Sequence, residues 1–145
     1  MGLFDFIKDA GKAIGLVDEA GAGERLVEEI RSLNLDVEDL SVGFSDGTAK
    51  ISGRVKTQEL REKVILAAGN VAGVEKVDDN LTVEQQAPQA LFHTVERGDT
   101  LSAIAKKFYG SPMKYMVIFK ANQPLLKDPD RIYPGQVLRI PEIKE

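Results

Sequence analysis

The sequence predicts an α+β protein of two small domains, the first with the element order αββαβ and the second with the order βααβ. Three observations support this fold class. Apolar residues recur at helical spacing in some segments and alternate with polar residues in others. A polar stretch that contains Ala and Pro, residues 84–90, interrupts both patterns. The composition, 43% hydrophobic and 29% charged over 145 residues, is that of a chain that folds.

These patterns divide the chain into four segments. We expect a lead at 1–22, a first domain at 23–83, a linker at 84–90 and a second domain at 91–145. A shorter break at 19–23, rich in Ala and Gly, is predicted to separate the lead from the first domain.

The lead has the pattern of a short amphipathic helix. Its apolar residues fall on one side of such a helix, with Asp5, Lys8, Asp9 and Lys12 elsewhere. We therefore expect it to pack on the first domain. The apolar residues are Leu3, Phe4, Phe6, Ile7 and Ala10.

The first domain begins with a predicted helix over 24–34 and continues with a β-hairpin that turns at 45–47. Thr57 is a plausible N-cap for a second helix, which Gly69 and Gly73 would end. A last strand covers 77–83, and Asp79 falls there on the apolar side.

The second domain begins with a predicted strand at 92–95. Thr100 or Asp99 would cap a helix that Gly110 stops. Ser111 and Pro112 open a second helix, and a final strand follows the turn at 133–136.

Composition excludes several classes of function. The chain has no Cys and one His, His93, so thiolate metal sites, cysteine nucleophiles and multi-histidine metal sites are ruled out. A net charge of −4 without a basic stripe argues against nucleic acid. No motif pairs carboxylates or cradles phosphate, so we predict that the protein is not an enzyme. Asp5 and Asp9 interrupt the opening segment, so we expect no membrane insertion and a cytoplasmic location. We also expect a monomer.

The second domain carries a specific set of motifs. Gly98-Asp99-Thr100-Leu101-Ser102 opens its first helix, and Ile132-Tyr133-Pro134-Gly135-Gln136 precedes its last strand. The segment closely resembles the LysM family over about fifty residues. That resemblance implies binding of peptidoglycan or another N-acetylglucosamine glycan in a groove between two loops. The loop residues here are Gly98, Asp99, Thr100, Leu101, Leu126, Asp128, Pro129, Asp130 and Ile132.

The first domain resembles the BON family in its αββαβ order, in the glycine near the end of its second helix and in its terminal strand at 77–83. Together with the opening Met1-Gly2-Leu3-Phe4-Asp5-Phe6, the pair of domains closely resembles the bacterial BON–LysM family of cytoplasmic potassium-binding proteins. The resemblance implies a K⁺ ion, replaceable by Rb⁺, held by main-chain carbonyls. By motif these are the carbonyls of Ile7, Lys8, Ala10, Gly69, Val71 and Val74.

Elementary chemistry is compatible with such a site. The last carbonyls of a helix lack intrahelical partners and carry partial negative charge, and neutral oxygens suit a large monovalent ion. From the residues alone, Gly69 and Gly73 are better explained as ordinary helix terminators, and only the resemblance favours the ion site. A rival calcium-type site would use Asp78 and Asp79 with the acidic residues of 36–39, although these lack the spacing of a calcium loop. The alternative function is peptidoglycan binding through the LysM domain.

Overall fold

A computed structural model of the chain describes residues 2–7 and 19–142. It contains a four-stranded sheet with two helices, followed by a two-stranded sheet with two helices. This is the predicted α+β class, which is confirmed. In chain order the elements are β1 (Gly2–Asp5), α1 (Glu19–Ser32), β2 (Glu38–Ser45), β3 (Thr48–Thr57), α2 (Gln58–Gly69), β4 (Lys76–Gln85), β5 (Leu91–Thr94), α3 (Leu101–Tyr109), a 3₁₀ turn (Pro112–Lys114), α4 (Tyr115–Ala121) and β6 (Val137–Ile140).

The larger sheet has the strand order β1-β4-β3-β2. Strands β2 and β3 form the predicted hairpin, in which Asp46 and Gly47 both have positive φ, as a tight two-residue turn requires. Strands β3 and β4 are parallel and are joined by α2, whose first turn is capped by the Thr57 hydroxyl accepting from the Leu60 N–H at 3.1 Å. Both helices pack on one face of this sheet. Its largest core residues include Leu26, Ile30, Ile51, Ile65 and Leu66.

The smaller sheet pairs β5 with β6 in antiparallel fashion, and α3 and α4 cover it. Thr100 caps α3 by accepting from the Ala103 N–H, and Gly110 ends it in the left-handed conformation. Both features follow the sequence prediction. The predicted helix at Pro112 begins as a 3₁₀ turn and becomes α-helical only at Tyr115. The core contains Leu101, Ile104, Ile118, Leu126, Leu138 and Ile140.

The prediction of a helix is wrong for the start of the lead. Gly2–Asp5 is a strand that pairs with β4, with Leu3 opposite Asp78 and Asp5 opposite Lys76. Phe6 is buried, whereas Leu3 and Ile7 are more than half exposed, so the apolar residues alternate in direction instead of sharing one face. The main-chain groups along the edge of β4 provide hydrogen-bond partners that a local helix pattern does not anticipate. Residues 8–18, which include Ala10, lie outside the described residues.

The predicted break at 19–23 is also wrong, because these residues form the first turns of α1. Gly23 lies against the main chain of β2, and a Cβ there would overlap the Val42 carbonyl oxygen. Glycine at this position therefore allows a close approach of helix and sheet, and it does not mark a loop.

Candidate functional site

The end of α2 and the loop that follows it, residues 70–75, form the first candidate site. Asn70 is the C-cap residue, and its N–H donates to the Leu66 carbonyl at 2.9 Å. The chain then turns tightly, since the Val71 N–H donates to the Ala68 carbonyl and the Val74 N–H to the Val71 carbonyl. Val71 thus lies just beyond the end of the helix. The partial negative charge of a helix C-terminus is directed toward this loop.

The lead reaches this loop directly. The Phe6 N–H donates to the Glu75 carbonyl at 2.7 Å, and the Phe6 ring lies so close to Gly69 that a Cβ there would overlap it. Ile7 follows immediately and is half exposed. The two segments that the resemblance implies as the ion site therefore meet at the contact between Phe6 and Gly69. Lys8 and Ala10 lie outside the described residues.

The carbonyls of this loop differ in their hydrogen bonding. Within 2–7 and 19–142, no hydrogen bond is donated to the carbonyl oxygen of Gly69 or of Val74, and that of Val71 accepts one, from the Val74 N–H. Val71 and Val74 are almost completely buried. Carbonyl oxygens are neutral ligands of the kind that suits a cation of low charge density.

The acidic residues proposed as a rival calcium site do not form one cluster. Asp79 is fully buried, accepts from the Leu81 N–H at 3.0 Å and is paired with Arg61. Glu38 and Asp39 lie on the far edge strand, where both contact Arg54. Across the described part of the chain, no group of three or more His, Asp or Glu side chains is arranged to hold a metal.

The LysM loops contain both accessible and buried residues. The Asp99 carboxylate accepts from the Glu96 N–H at 2.9 Å and lies 3.1 Å from His93 Nε2. Both hydrogen bonds lower the pKa of Asp99, and the one from Glu96 has the larger effect. Asp130 donates its N–H to Asp128 Oδ1. Leu101 and Leu126, however, are only 2% exposed and belong to the domain core. Burial keeps these two side chains from a ligand, and the assignment of the two residues to a glycan surface stays a prediction.

The two domains meet at polar contacts that α2 and its C-cap residue Asn70 make with β6. The Asn70 side chain pairs with the main chain of Val137, and Glu62 pairs with Arg139 at 2.8 Å. Glu62 also accepts from Gln58 Nε2 and from the Ala90 N–H in the stretch before β5. Sequence reasoning missed both contacts. A signal for the second was present, since Glu62 lies at core spacing on its helix and Arg139 interrupts an apolar strand.

A groove of about 750 Å³ lies between the domains beside the 70–75 loop. It is bounded by the end of α1, the end of α2 and the chain between α4 and β6. Burial raises the pKa of Tyr133, one of its lining residues, to about 12. Its polar lining residues include Glu29, Ser32, Asn34, Asn70, Asp128, Arg131, Tyr133 and Gln136.

The folds and motifs define a class of proteins with two linked binding domains. The BON domain family matches residues 18–85, and the LysM domain family matches residues 93–141. Of the helices that the structure describes, none has both the length and the apolar character needed to span a bilayer.

Known proteins are similar to all or part of this chain. The chain is 43% identical over 148 residues, 98% of this chain and 99% of the relative, to the "Potassium binding protein Kbp" of Escherichia coli O6:H1. It is 32% identical over 150 residues to an uncharacterized protein of Deinococcus radiodurans, covering 94% of this chain but 58% of that protein. A shorter match, 41% over 59 residues, is to the uncharacterized protein YqbP of Bacillus subtilis. The chain thus belongs to the BON–LysM family that includes the potassium binding protein Kbp, and the resemblance stated from the sequence is confirmed.

Proposed function

We propose that this protein binds K⁺ and is not an enzyme. The ion would be held by main-chain carbonyls of the lead and of the 69–74 segment, namely those of Ile7, Lys8, Ala10, Gly69, Val71 and Val74. The observation that supports this most directly is the meeting of the two segments through Phe6, which lies on Gly69 and bonds to Glu75. The printed name of the Escherichia coli relative supports the choice of ion.

The chemistry of the loop supports a large monovalent cation. Carbonyl oxygens are neutral ligands, whereas Ca²⁺ and Mg²⁺ are bound largely through carboxylates. Replacing the hydration shell is easier for K⁺ and Rb⁺ than for Na⁺ or Li⁺, because the smaller ions hold water more tightly. We therefore propose that Rb⁺ substitutes for K⁺, and that ion binding changes the stability or conformation of the protein.

A melting scan in chloride salts at matched ionic strength tests this function. A ligand that binds only the folded state stabilises it by RT ln(1 + [L]/Kd), about 2.7 kcal/mol at a hundredfold excess over Kd. K⁺ and Rb⁺ should raise the melting temperature, and Na⁺ and Li⁺ should raise it much less. Equal effects of Na⁺ and K⁺ would indicate charge screening of an acidic chain and contradict the site.

Glycan binding is a second candidate, supported by the LysM match at residues 93–141. The accessible part of the proposed surface is Gly98, Asp99 and Thr100 on one loop, with Asp128, Pro129, Asp130 and Ile132 on the other. The full chain should sediment with purified peptidoglycan. Replacing residues 128–130 by a Gly/Ser sequence should abolish this. Absence of co-sedimentation by the folded protein would leave the LysM domain as a partner of the BON domain.

The monomeric state and the cytoplasmic location remain part of the proposal. Sedimentation velocity tests the first, and separation of periplasmic from cytoplasmic extracts tests the second. Recovery in the periplasm would favour the glycan function over the ion function.

A further inference from the structure

Asn70 joins the candidate ion loop to the LysM domain. Its Nδ2 donates to the Val137 carbonyl at 2.9 Å, and its Oδ1 accepts from the Val137 N–H at 2.9 Å. One side chain thus satisfies both main-chain groups of one residue in β6. The two bonds require opposite ends of the amide, so they fix its orientation.

A second asparagine makes the same contact within the LysM domain. Asn122, the C-cap residue of α4, accepts from the Arg139 N–H at 2.8 Å and donates to the Arg139 carbonyl at 2.9 Å. Strand β6 pairs with β5 along one edge, and these two asparagines pair with alternate residues along the other. Asn122 belongs to the LysM domain, whereas Asn70 comes from the BON domain and takes the place of a neighbouring strand.

The main chain of Asn70 is held as well. The Tyr133 hydroxyl donates to the Asn70 carbonyl at 3.4 Å. The peptide unit between Gly69 and Asn70 carries the Gly69 carbonyl, and the Val71 carbonyl lies two peptide units further along the chain. Both carbonyls belong to the proposed ion site, and their directions depend on the backbone angles at Asn70 and its neighbours.

We propose that Asn70 is a positioning residue for the ion site, through which the main chain of β6 fixes the direction of the loop carbonyls. This inference rests on the proposed potassium function. It means that K⁺ affinity in this chain depends on a contact made by the LysM domain, although no side chain of that domain coordinates the ion. The loop is then already ordered before K⁺ binds. Binding therefore has a smaller entropic cost, and the affinity for K⁺ rises without an additional ligand.

Titration calorimetry with KCl on the full-length protein tests the inference with three variants. Asn70→Ala removes both bonds and should weaken K⁺ binding roughly tenfold, within the usual range for coupled sites. Asn70→Asp keeps the size but replaces the Nδ2 donor by a charged oxygen facing the Val137 carbonyl. Simple attraction would make this variant bind K⁺ more tightly, so weaker binding identifies the role of the contact. Asn80→Ala is the matched control, because the Asn80 side chain donates to the Asp78 carbonyl within β4. The Asn80→Ala protein should bind K⁺ like the wild type.

Each outcome decides one question. Wild-type protein that gives no K⁺ binding overturns the proposed function itself. Wild-type binding together with unchanged affinity in Asn70→Ala, or tighter binding in Asn70→Asp, overturns only the positioning role. If Asn70→Ala does not fold, the isosteric Asn70→Asp and Tyr133→Phe variants decide the matter. The latter removes one donor to the Asn70 carbonyl and should weaken K⁺ binding about threefold, the equivalent of one weak hydrogen bond.

Discussion

Glu62 of α2 and Arg139 of β6 form an ion pair across the domain boundary in which both side chains are almost fully buried. The two atoms Oε1 and Nε are 2.8 Å apart, and the exposed side-chain fractions are 1% and 9%. The Arg139 Nη1 also donates to the Ala121 carbonyl at 3.1 Å, so the guanidinium is hydrogen-bonded on both sides. Because both charges are buried, removing either side chain leaves the other charge buried without its partner, which destabilises the folded state.

We predict that Glu62→Gln lowers the free energy of unfolding by about 3 kcal/mol, because it removes the buried counter-charge of Arg139 and leaves only the exposed carboxylate of Glu59. Glu59→Gln is the matched control. Glu59 lies 3.6 Å from the same arginine but is 55% exposed, so its loss should cost less than about 1 kcal/mol. Urea unfolding of both variants measures the difference. Equal costs would show that burial does not decide the strength of this contact.

The contact between Phe6 and Gly69 gives a second prediction. Gly69→Ala should destabilise the protein by about 1–3 kcal/mol, since the new methyl group overlaps the Phe6 ring. It should also reduce the rise in melting temperature caused by K⁺. Gly21→Ala, in α1, meets nothing within 4 Å and should stabilise the protein by about 0.4–1 kcal/mol with the K⁺ effect unchanged. Thermal melts with and without K⁺ measure both effects, and a loss of the K⁺ effect in both variants would contradict the assignment.

Substitution of Asp79 distinguishes an effect on folding stability from an effect on ion binding. Asp79→Asn should cost about 2 kcal/mol or more, because the fully buried carboxylate pairs with Arg61 and accepts from the Leu81 N–H. The stabilisation by K⁺ should nevertheless persist, since main-chain oxygens are the proposed ligands. Asp78→Asn, on the neighbouring and partly exposed position, should leave both quantities nearly unchanged. Loss of the K⁺ effect in either variant would favour a carboxylate site.

The buried phenol of Tyr133 predicts that the folded protein loses stability at high pH. Burial raises the pKa of this phenol from 10.0 to about 12, so the folded state keeps a proton that the unfolded chain has already released. Stability is therefore fully present below about pH 10 and falls as the pH rises toward 12. Tyr133→Phe should make this fall shallower. Urea unfolding at pH 8, 10 and 11.5 measures it, and parallel curves for wild type and variant would contradict the assignment of the loss to Tyr133.

Local signals predicted most of the fold because they depend on neighbours in the sequence. Thr57 and Thr100 were identifiable as caps, and Asp46 and Gly47 as a turn, since each acts within four residues of its own position. The burial of Asp79 was foreshadowed by its place on the apolar side of a strand. Its partner Arg61 was not, because that contact joins a helix to a strand and has no fixed spacing.

Long-range pairing explains the errors. Residues 2–5 had a helical pattern, and only the free edge of β4 makes them a strand. Gly23 resembled a loop residue because a close approach to Val42 leaves no mark in the local sequence. In the candidate site, Gly69, Val71 and Val74 were named by resemblance, whereas Asn70 between them was missed. Its side chain contacts Val137, which is 67 residues away in the chain.

Strand β1 covers an edge of β4 that would otherwise present unpaired main-chain groups along its length. It is short, lies at the margin of the sheet and exposes Leu3, so it should open at a lower free energy than the rest of the domain. Once opened, the β4 edge can accept the equivalent strand of another molecule, which would give an exchanged dimer through the same hydrogen bonds. We therefore expect that protein lacking β1 forms dimers or larger species at high concentration.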